Sequence, residues 1–148
     1  MAISKYNSEG YHDSTTYEAL KTVEKEERKT VSLYKPDEFR PLVYICSPYR
    51  GDTEKNTEKA RKYSRFAVES KAIPMTPHLL YPQFMDDSNP EERYLATHVI
   101  NYVLIGKCQE VWVFGEDISE GMGREIALAE KRRMKIRYFT ETMEEAKR

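Results

Sequence analysis

The residues with the most chemical potential lie in the stretch Ser119-Glu120-Gly121-Met122-Gly123-Arg124-Glu125-Ile126-Ala127-Leu128-Ala129. It follows Val111-Trp112-Val113-Phe114, the most apolar short run in the chain, which ends at Gly115. A buried strand, a glycine-bearing turn and a helix form the usual scaffold of a ligand site in an open α/β sheet. Gly121 and Gly123 let backbone approach a ligand closely, and the helix N-terminus after Ser119 favours anionic groups. Glu125 is the anomaly. In a helix from about Gly121 it shares a face with Met122, Leu128 and Ala129, at spacings of three and four. Those neighbours are apolar, whereas Glu130, Lys131, Arg132 and Arg133 read as the solvated part. A carboxylate beside an inward face costs several kcal/mol unless it is paired or used. The alternative is a first-turn glutamate that complements the helix dipole.

A second group of polar residues follows the first apolar run, Leu42-Val43-Tyr44-Ile45-Cys46, which breaks at Ser47-Pro48-Tyr49-Arg50-Gly51-Asp52. A first strand that ends in a turn with Ser, Arg and Gly is where an α/β protein holds a phosphate or sugar. Arg50 would contact the phosphate or ribose and Ser47 would hydrogen-bond, with Tyr44, Tyr49 and Gly51 beside them. An ordinary strand–helix turn with a surface arginine accounts for the same residues, because the spacing of GxGxxG or of a Walker A loop is missing. Asn56 is polar on the inner face of the next helix and either reaches a ligand or is a satisfied buried amide. His78 stands in the apolar, proline-punctuated run Pro77 to Asp87, which reads as a wall or lid over the site. A lone histidine there also serves as a structural hydrogen-bonder. His98 and Asn101, three residues apart, flank the apolar stripe of a later helix and face the same cavity.

The elements that position these groups read as alternating strands and helices. After the first strand a helix runs from about Thr53 to Ser70, with Asn56, Ala60, Tyr63 and Ala67 inward. Ala72 to Thr76 is a short second strand, and Pro74 points to an edge or irregular position. Ser88-Asn89-Pro90-Glu91-Glu92 is a strong helix start. That helix reaches about Ile105 and stops at Gly106, with Leu95, Val99, Tyr102 and Ile105 as its buried stripe. Glu110 to Phe114 is the third strand and Lys135 to Phe139 the last. The tail, Thr140 to Arg148, is polar and helical or frayed. The expected fold is α/β, a Rossmann-like or flavodoxin-like three-layer sandwich with a mainly parallel sheet of about four to five strands. The turns after the first and third strands then share one carboxyl edge, which brings Ser47 and Arg50 towards Ser119, Gly121 and Glu125.

Residues 1–40 differ from the rest. They are rich in Glu, Lys, Ser and Thr, with one helix-like patch from Tyr17 to Lys29 and a thin apolar stripe of Tyr17, Leu20 and Val23. This is an N-terminal polar arm, bracketed from the domain of residues 41–148 by Pro36 and Pro41. The 148 residues suffice for one domain with a real core. A net charge of −1 gives no electrostatic case for a nucleic-acid polymer or an anionic membrane. No apolar run approaches the ~18 residues of a membrane span and the N-terminus has no signal core, so cytoplasmic location is the default expectation. Cys46 and Cys108 read as small buried residues, and no cluster of side chains suggests a metal.

The segments YICSPYRGD, VWVFG and SEGMGREIALA together resemble the nucleoside 2-deoxyribosyltransferase superfamily, over roughly Pro41 to Phe139. SEGMGREI is also similar to the deoxynucleoside 5′-monophosphate N-glycosidase branch. The resemblance implies that Glu125 is the nucleophile and that Ser119, Gly121 and Met122 bind the 5′ group or phosphate, with Arg50 and Gly51 in the first loop. It implies a small-molecule nucleoside or nucleotide ligand, no cofactor, and a homo-oligomer whose sites borrow residues from a neighbour. Family enzymes also place an aspartate on the helix before the late strand, where it contacts the sugar and helps the departing base. By spacing that position falls near Asn101, which is not acidic, so Asp117, Asp86 or Asp87 would have to supply a carboxylate. The expected activity is cleavage or exchange of an N-glycosidic bond, through an oxocarbenium-like state stabilised by a carboxylate beneath C1′. Binding of a nucleotide without efficient turnover is the alternative that Asn101 motivates.

Overall fold

The computed structural model describes residues 6, 11, 14–33 and 37–147. Pro36 and most of the first residues of the polar arm lie outside the described residues. The chain divides into two units, Met1–Phe39 and Arg40–Arg148. The first unit contains α1 (Ser14–Leu33), longer at both ends than the patch expected from periodicity. Leu20 and Val23 of its stripe are 45% and 51% exposed.

The second unit is built on a five-stranded sheet in the order β2-β1-β3-β4-β5, comprising β1 (Leu42–Cys46), β2 (Ile73–Met75), β3 (Glu110–Phe114), β4 (Lys135–Phe139) and β5 (Glu145–Ala146). All neighbours are parallel except β4 and β5. β1 and β3 are buried along nearly their whole length, as continuous apolar runs of central parallel strands are. β2 is an edge strand, which accommodates Pro74. The pleat divides the core into two halves. Val43, Ile45, Trp112 and Phe114 meet Tyr63 and Ala67 of α2 (Thr53–Glu69) on one face, where Tyr63 stacks on Phe114 at 4.2 Å. Tyr44, Cys46, Val111 and Val113 meet Ile105, Met122 and Ala129 on the other. Both cysteines are buried free thiols.

Loop and cap chemistry sets the helix starts. Asp52 caps α2 by accepting from the Lys55 N–H, and Asn89 caps α4 (Pro90–Tyr94) by accepting from Glu91 and Glu92, with Pro90 at the first turn. Between β2 and Asn89 the chain forms a short α3 (Pro77–Leu80) and a 3₁₀ turn over Tyr81–Gln83. α4 continues through a π-helical stretch, Leu95–Ile100, into α5 (Asn101–Lys107). This corrects the expected buried stripe. Ile105 is buried, but Leu95, Val99 and Tyr102 are 44%, 46% and 52% exposed. A π turn has i→i+5 hydrogen bonds, so the 3.6-residue period that defined the stripe does not hold across it. The helix also runs past Gly106 instead of stopping there. A Cβ at Gly106 would lie 2.7 Å from Nη1 of Arg132, so the glycine makes room for that side chain, whose Nη1 donates to the Tyr102 carbonyl at 2.9 Å.

α6 (Glu120–Lys131) starts from Ser119, whose hydroxyl accepts from the Met122 N–H at 3.3 Å. The tail is not helical. It returns as β5 beside β4, fastened by a two-pronged ion pair from Arg137 Nε and Nη2 to the carboxylate of Glu145 at 2.8 and 2.7 Å. Among the described residues no helix is long and apolar enough to cross a membrane.

Candidate functional site

Because β1, β2 and β3 are parallel, the segments that follow them leave the sheet at one edge. Residues 47–52, α3 with its 3₁₀ turn, and residues 115–119 leading into α6 all begin there. The stretch α4 to α5 closes the remaining side. Together they enclose a cavity of about 480 Å³, within the usual range for small-molecule sites. A Cβ at Gly121, on its wall, would meet nothing within 4 Å, so that side of the α6 N-terminus is open.

Glu125 lies on the wall, partly buried, one turn into α6. The hydroxyl of Tyr44, itself buried on β1, donates to Glu125 Oε1 at 2.7 Å. Asn101 Nδ2 donates to the same oxygen at 3.3 Å. No N–H or O–H of the described residues bonds to Oε2. Burial pushes the Glu125 carboxyl above the usual carboxylate range, and the hydrogen bonds from Tyr44, Cys46 and Asn101 offset part of that rise by favouring the ionised form. Burial, and then the Glu125 charge, push the Tyr44 hydroxyl and the Cys46 thiol well above their ordinary values. Both stay protonated: the Tyr44 hydroxyl holds the carboxylate, and the Cys46 thiol donates to the Met122 carbonyl at 3.9 Å. Asn101 Oδ1 is buried with no hydrogen-bond partner among the described residues. Buried side-chain acceptors are rarely left so, and this one borders the cavity beside the carboxylate.

On the same cavity Ser47 Oγ and His78 Nε2 lie 3.0 Å apart. Burial lowers the His78 imidazole from 6.5 to about 4, so it is neutral at pH 7. The Tyr49 ring is tilted against it at 5.9 Å between centroids. Asn56 is a satisfied amide: its Nδ2 donates to the carbonyls of Tyr49 and Arg50 at 3.2 and 3.0 Å and so fixes the loop that presents Arg50. Gly51 has φ +97°, a left-handed backbone that favours glycine.

Of the residues singled out from sequence, Ser47, Tyr49, Arg50, His78, Asn101, Ser119, Gly121, Met122 and Glu125 line the cavity together. Tyr44, Gly51, Asn56 and Asp117 do not. Tyr44 acts from below through Glu125, Gly51 and Asn56 shape the loop, and Asp117 is exposed. Asp86, Asp87 and His98 are on the wall as well. Tyr81 lies on the wall with the rest of the run Pro77 to Asp87 expected there, whereas sequence reasoning missed Glu92, Arg93, Tyr94, Thr97 and Arg124. Helical spacing held a signal for some of these: Thr97 precedes Asn101 by four, and Tyr94 precedes His98 by four and stacks on it at 4.3 Å. Among the described residues no group of three or more His, Cys, Asp or Glu side chains could hold a metal ion.

The family described as a domain of unknown function (DUF7768) matches residues 41–139. The chain belongs to the DUF7768 family. The matched segment begins just before β1 and ends with β4, so every side chain on the cavity wall belongs to the DUF7768 domain, while α1 and β5 lie outside it. No curated protein matches the chain. Chemically, this domain presents a desolvated carboxylate held by neutral donors, an open helix N-terminus capped by Ser119, and the guanidinium groups of Arg50, Arg93 and Arg124 on the same cavity. Such a wall suits a ligand with an anionic end and an electrophilic carbon.

Proposed function

We propose that the cavity binds a nucleoside or nucleoside 5′-monophosphate and cleaves or exchanges its N-glycosidic bond, with Glu125 as nucleophile. The observation that carries the reading is the seating of Glu125, a partly buried carboxylate on the cavity wall with two donors on one oxygen. A carboxylate so placed attacks or stabilises C1′ as positive charge develops there, and its raised affinity for protons makes it a stronger nucleophile than an exposed glutamate. The α6 N-terminus and Arg50 take the 5′ group. Asn101 Oδ1 accepts from a sugar hydroxyl, which satisfies an acceptor the protein leaves unpaired. The strand order β2-β1-β3-β4 is that of flavodoxin-like doubly wound sheets, whose crevice opens at the β1/β3 switch point, and it supports a Rossmann-like assignment. The likeness of YICSPYRGD and SEGMGREIALA to the nucleoside 2-deoxyribosyltransferase superfamily supports the substrate class. No cofactor is required, and neither a nucleic-acid polymer nor a membrane is a partner. Tyr94, Leu95, Val99, Tyr102 and Val103 are exposed along the stretch from α4 to α5, which supports a homo-oligomer.

A panel of nucleosides and 5′-monophosphates incubated with the protein and resolved by chromatography tests the reading. Free base from at least one compound is expected. No release from any compound overturns the enzymatic reading. The second reading, binding without turnover, is favoured by Asn101, an amide whose N–H groups are too weakly acidic to protonate a leaving base. A rise in melting temperature with a nucleotide that loses no base would select it.

A further inference from the structure

We propose that His98 is the acid–base residue of this site: its imidazolium protonates the departing base, and the neutral ring then takes a proton from the water that attacks C1′. The inference rests on the reading of Glu125 as nucleophile. A carboxylate that closes on C1′ needs a second group to protonate the leaving base, and a positioned acid contributes about 10²–10⁴-fold to that step. Asn101 stands where the resemblance would place an aspartate for this task.

Location favours His98. A second cavity of about 200 Å³ adjoins the main one, and His98, Asn101 and Glu125 line both. The helix that carries His98 also delivers Asn101 to Glu125, and it is π-helical over Leu95–Ile100, a departure that recurs at functional sites. Hydrogen bonding then fixes the ring. Thr97 Oγ1 lies 2.8 Å from the Arg93 carbonyl and 2.8 Å from His98 Nδ1. The carbonyl only accepts, so the single hydroxyl proton goes to it, and the hydroxyl oxygen accepts from His98. The proton of the neutral ring is thereby assigned to Nδ1. Nε2 is a lone pair in the neutral form and an N–H in the charged form, and it has no hydrogen bond to another of the described residues. The Tyr94 ring, stacked on the imidazole at 4.3 Å with 9° between planes, holds its orientation.

Other groups on the wall are less suited. His78 meets Ser47 through its Nε2, and burial keeps it neutral. Asp86 accepts from the Ser88 hydroxyl and N–H, which lowers its affinity for a proton. Tyr49, Tyr81 and Tyr94 offer phenols, a class that ordinarily titrates at about 10, whereas histidine changes charge near neutral pH, where acid and base catalysis both work best. Arg124 and Glu125 are the charged groups of α6 that border both cavities, and Asp87, Glu92 and Arg93 border the larger one, so the pH profile of His98 is the difference between parent and variant.

The step balances. The C1′–N bond breaks with its electron pair going to the base, the proton on His98 Nε2 moves to a ring nitrogen of that base, and the Glu125 carboxylate closes on C1′ as a glycosyl ester. Water then attacks C1′ and gives one proton to Nε2, which restores both the carboxylate and the imidazolium.

The test uses the full chain and its His98→Gln variant on the common nucleosides and their 5′-monophosphates, in ribo and deoxyribo forms, together with 7-methylguanosine 5′-monophosphate, whose base leaves without taking a proton. His98 is exposed, so the variant should fold as the parent does, which melting curves check. On the uncharged-base compound the parent cleaves best, the variant should lose at least about 100-fold in kcat with KM little changed, and its descending alkaline limb should disappear. On the 7-methyl compound it should lose less than about tenfold. A kcat within tenfold of the parent, an alkaline limb absent from the parent or unmoved in the variant, or an equal loss on the 7-methyl compound overturns the assignment and leaves the chemistry of Glu125 standing. Release by the parent from the 7-methyl compound alone does the same. No release from any compound overturns this inference together with the proposed function.

Discussion

Removing the Tyr44 hydroxyl is the sharpest perturbation of the site. Tyr44→Phe keeps the ring that fills the core beside Val111 and Ile105 and deletes one donor, at 2.7 Å from Glu125 Oε1. A hydrogen bond to a charged group contributes about 1.5–3 kcal/mol. Its loss falls on the ionised form of Glu125, because the hydroxyl donates to the carboxylate and thereby opposes the upward push of burial. At 1.36 kcal/mol per decade, the ionised population below the titration midpoint drops by roughly ten- to hundredfold. The assay is kcat/KM against pH on whichever compound releases base. The acidic limb should move to higher pH, and the rate should approach that of the parent once the pH exceeds the new midpoint. A rate lowered equally at every pH, with the limb unmoved, would refute the argument that Tyr44 works through the charge of Glu125.

Four further outcomes follow from the same geometry. The His78 imidazole is lowered from 6.5 to about 4, so the unfolded chain binds the extra proton first and stability is lost as pH falls through that window, by up to about 3 kcal/mol. His78→Gln should flatten the slope of denaturant stability between pH 7 and 4.5, and an unchanged slope would contradict the burial argument. Glu125 has the opposite sign: its raised affinity for protons means that the parent loses stability as pH rises above the ordinary carboxyl range, so Glu125→Gln should match or exceed the parent's melting temperature at pH 7 and lose that advantage at low pH. Ser119→Ala removes the α6 cap and should cost about 1 kcal/mol in denaturant unfolding while weakening nucleotide binding. Phe114→Ala deletes a fully buried ring stacked on Tyr63 and Phe139 and should cost about 3–5 kcal/mol, read as a lowered denaturation midpoint.

The parts of the fold that follow from local physics were legible before the structure. Leu42–Cys46 and Val111–Phe114 are continuous apolar runs, and central parallel strands of an α/β sheet need that pattern. Asn89-Pro90 announced a helix start through capping chemistry that acts within four residues. What escaped depends on distant partners or on a broken period. The π turn over Leu95–Ile100 breaks the 3.6-residue repeat, so a single stripe does not carry across it: Ile105 is buried while Leu95, Val99 and Tyr102 are exposed. The polar tail pairs with β4 through Arg137 and Glu145, a contact no local pattern encodes. The convergence of Ser47, Arg50, Ser119 and Glu125 was legible because parallel strands share a carboxyl edge. Asn56 was legible as an inward, satisfied amide, but the bond from the Tyr44 hydroxyl was not, because a carboxylate 81 residues away decides it.

The most direct measurement of the central claim is base release by the parent and by Glu125→Ala, side by side, on the compound the parent cleaves best, with melting curves to show that both are folded. The account predicts release by the parent and its loss in the variant, together with a glycosyl adduct in the parent on the peptide that contains Glu125. Equal release from both proteins would contradict it, whatever the identity of the substrate.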